Sequence, residues 1–82
     1  MKGVVIILKM FRKSIWIPYK DTIVYPTVSI AQQTIAKYCK DNGFAYDFIA
    51  DDEVVIGGIE HEIYRGYEPG SRGNYGIKII EK

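Results

Sequence analysis

The sequence predicts an α+β domain in which a single helix packs on a mainly antiparallel sheet of about five to six strands. Three observations predict it. One stretch, 25–44, carries apolar residues at three- and four-residue steps. Most other apolar stretches alternate with a period of two or run as short β-branched blocks. Between two of these lies Gly57-Gly58, whose freedom at positive φ suits a two-residue hairpin. At 82 residues the chain has room for one core, so 1–82 is a single small domain, with 1–9 an N-terminal extension strand.

In chain order, Val4-Val5-Ile6-Ile7-Leu8 reads as a strand buried on both faces or covered by a partner. Met10 offers an alternative start, with 1–9 translated from upstream. Residues 13–19 alternate, placing Ile15, Ile17 and Tyr19 on one side and Ser14 and Trp16 on the other, and Pro18 marks an edge or an exit. Lys20-Asp21 is a turn and 22–25 a short strand leading into the helix. Thr27 or Ser29 can cap the helix, Ser29 with Gln32 forming a capping box. Its apolar stripe is Val28, Ala31, Ile35, Tyr38 and Cys39, with Ile30 off the stripe. Gly43 suits the left-handed position after the last turn, and Phe44 can fold back on Cys39. Strands are then expected at 44–49, 53–56, 59–67 and 74–81, with turns at Asp51-Asp52 and Gly57-Gly58 and a loop over 68–73.

Composition narrows the function classes. A hydrophobic share of 48% and a charged share of 26% are those of a globular protein. A formal net charge of +1 provides no general attraction to nucleic acid or to an anionic membrane, so nucleic acid is possible but not favoured and no membrane partner is expected. The block at 4–8 is far shorter than the about 20 residues of a membrane span, and the basic residues after it do not resemble a signal-peptide cleavage site. A lone cysteine supports neither a disulfide framework nor a zinc finger, which fits a reducing, cytoplasmic setting. No cofactor or metal is expected.

Three groups could carry chemistry. In Glu60-His61-Glu62, strand alternation turns His61 away from both glutamates, so the three cannot converge on one ion; His61 reads as a half-buried, hydrogen-bonded histidine and the glutamates as a solvated face. Cys39 with His61 could form a nucleophile–base pair, but Cys39 lies on the apolar stripe and reads as an inert packed thiol, leaving an enzyme as the third reading. The third group is the loop 65–76, with Arg65, Tyr67, Arg72 and Tyr75 as candidate ligand- or partner-binding residues among four glycines. Arginine recognises carboxylate or phosphate through its fork, tyrosine offers a stacking face, and glycine admits a ligand to the backbone. The competing reading is an ordinary hairpin loop whose glycines serve turn geometry and whose arginines are solvated or pair with Glu60, Glu62 or Glu68.

The order Phe11-Arg12-Lys13-Ser14, Tyr25-Pro26, Ser29-Ile30, Ile35, Tyr38-Cys39, Asn42-Gly43, Phe48-Ile49, Glu62-Ile63-Tyr64 and Arg72-Gly73-Asn74-Tyr75 resembles a family of small bacterial domains of unknown function, numbered 4318. The resemblance runs from Met10 to Glu81; the hairpin at Gly57-Gly58 is shorter than that family's, and 1–9 extends beyond it. It implies a cytoplasmic bacterial domain in which the Arg-Gly-x-Tyr element matters, and it carries no activity, cofactor or catalytic residue. The expected function is a non-enzymatic module binding a protein or an acidic ligand through 65–76. Single-stranded nucleic acid is the alternative, with Lys9, Arg12 and Lys13 contributing, and an apolar edge makes a homodimer plausible.

Overall fold

The computed structural model describes residues 13–82. The expected strand at 4–8, and Lys9 and Arg12, lie outside the described residues. Among those described, one helix covers a five-stranded sheet, and every strand pair is antiparallel. The strands are β1 (Ser14–Ile17), β2 (Tyr46–Ala50), β3 (Glu53–Ile56), β4 (Ile59–Tyr67) and β5 (Tyr75–Glu81), with the helix α1 (Val28–Asn42) between β1 and β2. The spatial order is β1-β5-β4-β3-β2. Strands β2 to β5 therefore form a meander that ends beside β1, at the other edge of the described sheet.

The helix is bounded by its own sequence. Thr27 is extended and its Oγ1 accepts the Ile30 N–H at 3.3 Å. The capping box of Ser29 and Gln32 does not form, because both residues already lie inside the helix. Ser29 Oγ accepts from Gln33, while Gln32 reaches the Asp51 carbonyl. At the other end Gly43 takes φ 72°, its N–H donates to Lys40 and the Phe44 N–H donates to Cys39. Those two bonds make a Schellman closure. They also hold Phe44 against Tyr38 and out of the sheet, so β2 begins at Tyr46.

Ala31, Ile35 and Cys39 are fully buried against Ile17, Val54, Ile56, Ile63, Ile77 and Ile79, with Tyr19, Tyr38, Tyr46 and Phe48 packed around them. Gly57 and Gly58 both sit at positive φ, closing the β3–β4 hairpin as expected. A register shift after Phe48 breaks the alternation expected through Ile49. The strand expected at 22–25 is instead a turn: Thr22 N–H donates to Lys20 and Val24 N–H to Asp21. The chain must reverse there, after Pro18 and before the helix, and only the Thr22 carbonyl joins the sheet by accepting the Tyr75 N–H at 2.6 Å.

Candidate functional site

Strand register divides the 65–76 region between the two faces of the sheet. Gly66 pairs with Gly76 on the face away from the helix, whereas Arg65, Tyr67 and Tyr75 lie on the helix side beyond its first turn. The space above the two glycines is filled. A Cβ on Gly76 would meet the Trp16 ring at 2.9 Å, and one on Gly66 would meet the Tyr64 hydroxyl at 2.6 Å. Trp16 and Tyr64 meet edge to face at 5.9 Å, and Lys78 lies over both rings. These glycines therefore seat the protein's own aromatic rings and do not admit a ligand, contrary to the expectation from sequence. Gly70 and Gly73, at φ 80° and 93°, serve the turn.

Arg65 is likewise engaged internally. Its Nε and Nη2 fork onto the two oxygens of Asp52 at 2.7 and 3.1 Å, and Nη1 donates to the Pro26 carbonyl at 3.1 Å. The partner is Asp52, from the β2–β3 turn, and none of the glutamates expected from sequence. Hydrogen bonding from Arg65 holds the Asp52 carboxyl below its ordinary value, and the same bond raises the Arg65 pKa. The Arg65 guanidinium also lies over the Tyr25 ring, whose hydroxyl donates back to the Arg65 carbonyl at 3.4 Å. Arg65 is thus a positioning residue that ties β4 to the helix entry and steadies Tyr25.

What remains open is a tyrosine platform. Glu68 N–H donates to Asn74, which puts Tyr67 and Tyr75 at the neighbouring non-hydrogen-bonded pair, where side chains approach most closely. Their rings stack at 4.6 Å with an angle of 19°. Tyr75 Oη donates to Tyr67 Oη at 3.3 Å, and that bond is the first cause of its raised pKa. Tyr25 stands at 90° to Tyr75, 5.4 Å away. Tyr67 is 57% exposed, Tyr25 48%, and the adjoining Ile23 84%. The turn contributing Ile23 and Tyr25 carried no signal beyond its apolar run.

The loop beside the platform is closed by Ser71, whose hydroxyl donates towards the carbonyls of Glu68 and Asn74. At its tip Arg72 adopts φ 58°, the one non-glycine residue at positive φ among those described. Such a conformation costs on the order of 1 kcal/mol and collects at functional positions. Arg72 is exposed, and among the described residues no acidic group pairs with it.

The remaining candidates fall elsewhere. His61 is buried more deeply than expected, opposite Val54, with Nδ1 2.8 Å from the Ile59 carbonyl oxygen; that bond requires the proton on Nδ1. Glu60 and Glu62 are exposed on the other face, and Lys82 bridges Glu53 and Glu60. Cys39 is fully buried, and desolvation pushes its thiol pKa up, away from the reactive thiolate. No group of three or more metal-ligating side chains occurs among the described residues. No helix among the described residues is long and apolar enough to cross a membrane. An open groove of about 600 Å³ lies between 18–21 and the side of α1; Ile30 lines it with Tyr19 and Tyr38, which accounts for its place off the buried stripe. No protein-family model matches this chain, and no curated protein or solved structure matches it either.

Proposed function

We propose that this chain is a non-catalytic, cytoplasmic binding module that grips a protein partner through Tyr25, Tyr67, Tyr75 and Arg72. The observation that carries this reading is the Tyr67–Tyr75 stack, which leaves Tyr67 57% exposed while neighbouring hydrogen bonds hold the site in one geometry. Rigid tyrosines with a polar tip are favoured at interfaces because they contribute contact area at low entropic cost. Arg65, expected from sequence to touch the ligand, acts in this reading by fixing Tyr25. Arg72, exposed at the loop tip and with no acidic partner among the described residues, meets an acidic group of the partner in this reading.

Native mass spectrometry of the protein isolated gently from the cells that make it tests the reading. A bound protein should be retained by Lys78→Gln, on the opposite face, and lost in Tyr67→Ala and Arg72→Gln. Retention in both loop variants overturns the proposal. Single-stranded nucleic acid is the second reading, favoured by the open Tyr67 ring; it requires affinity to fall by about one log unit per log unit of salt for each phosphate neutralised.

A further inference from the structure

We infer, building on the binding role proposed above, that the tyrosine platform recognises an extended, proline-rich protein segment carrying an acidic residue. The hydrogen-bonding inventory around the platform supports this. The carbonyls of Thr22, Val24, Arg65, Tyr67, Glu68 and Asn74 already accept bonds from Tyr75, Tyr19, Tyr25, Tyr64, Ser71 and Glu68 respectively. Tyr75 N–H is likewise committed to Thr22, which closes this edge to strand addition. A ligand N–H at these six positions has to share an oxygen that is already engaged, so the surface favours a ligand that makes little demand on acceptors. Proline has no N–H to satisfy.

The platform does offer a donor. Because Tyr75 Oη donates to Tyr67 Oη, the Tyr67 hydroxyl proton is directed away from that bond and can reach a ligand carbonyl. A polyproline II segment presents such carbonyls, since it makes no internal hydrogen bonds, and it is already extended before binding. Tyr25 stands perpendicular to Tyr75, and with Tyr25 48% and Tyr67 57% exposed the group offers aromatic surface in two orientations for a pyrrolidine ring. Arg72 supplies the charge complement: a cation in the loop that joins Tyr67 to Tyr75, with no acidic partner among the described residues, selects a carboxylate in the segment.

The test is a titration of the isotope-labelled full chain, followed by amide chemical shifts, with three blocked peptides: decaproline, decaproline flanked by glutamates, and a glycine-serine peptide of equal length. Saturable shifts confined to 22–25 and 67–75 are expected with both proline peptides, at dissociation constants up to ~1 mM. The glutamate-flanked peptide should bind about tenfold more tightly, and Arg72→Gln should abolish that gain. Tyr67→Ala should weaken binding at least ~10-fold. Tyr67→Phe, which keeps the ring and the fold, should weaken it several-fold through loss of the hydroxyl. Equal binding of the glycine-serine peptide, absence of saturable shifts, or shifts lodged in the groove beside α1 would overturn the inference. So would tighter binding of oligothymidylate with a steep salt dependence. A native protein complex that still dissolves in Tyr67→Ala, with proline peptides inert, would remove the proline specificity and leave the binding role standing.

Discussion

Two aromatic groups among the described residues lie on opposite faces of the sheet and are built from similar residues, yet one is seated on the glycines of its own sheet and the other keeps a more open ring. On the face away from the helix, Trp16 and Tyr64 lie over Gly76 and Gly66 with Lys78 above both rings. On the helix side, Tyr67 and Tyr75 stack on one another with Tyr25 at their edge, and Tyr67 keeps an open face. Aromatic content alone therefore says little about binding. A ring seated on a glycine and capped by a lysine stabilises its own sheet, whereas a ring steadied from beneath is available to a partner.

Substitutions at each group can break or sharpen that contrast. The largest effect is expected from Gly76→Ala, whose methyl would fall 2.9 Å from the Trp16 ring and 3.4 Å from Glu68 Cβ. Displacing the indole should cost about 2 kcal/mol, measured by chemical denaturation. A neutral result would mean that Trp16 is not seated as described. Next is Asp52→Asn, which breaks the fork beneath the tyrosine platform. Because the Asp52 side chain is 43% exposed, solvent screening limits the expected loss to about 1.5 kcal/mol at neutral pH. The carboxyl is depressed below its ordinary 3.8 in the folded state, so this stability is present above that value and lost as pH falls through the lower folded one. Wild type and Asp52→Asn should thus converge in acid, a difference that paired urea titrations at neutral and acid pH would detect.

A gain is expected from Arg72→Gly. Removing a left-handed non-glycine residue should stabilise the fold by about 1 kcal/mol while weakening the partner complex. A variant neither more stable nor poorer in binding would mean that the conformation of Arg72 has no bearing on either. Tyr67→Ala should change thermal stability least, by about 0.5 kcal/mol, because the ring is mostly outside the core. A large loss there would place Tyr67 with Trp16 as a structural residue and collapse the contrast.

Much of the fold was legible in short-range signals. Thr27, Gly43, the Gly57-Gly58 hairpin and the period-two alternation of 59–67 each act within a few residues, so the chain needs no knowledge of its tertiary partners to express them. Signals failed where two local options competed. The apolar run at 22–25 suits a strand, but reversal between Pro18 and the helix made it a turn; Ser29 could have capped the helix, but Thr27 stands one residue before its first turn. Of the expected site residues, Tyr67 and Tyr75 stack on one another and Arg72 sits in the loop that joins them, while Arg65 is engaged by Asp52 and Pro26.

By itself the sequence determined one helix on an antiparallel sheet, the places of most described strands, which faces are apolar, and that tyrosines, arginines and glycines crowd 65–76. Tertiary structure alone decided what that crowding means. Asp52 and Pro26 are 13 and 39 residues from Arg65, and Trp16 reaches Gly76 only because β1 pairs with β5. The physical reason is that capping, turn geometry and periodicity depend on neighbours along the chain. Whether a guanidinium or a ring face is occupied depends instead on strand order and register, which are set by how the whole sheet buries its apolar side.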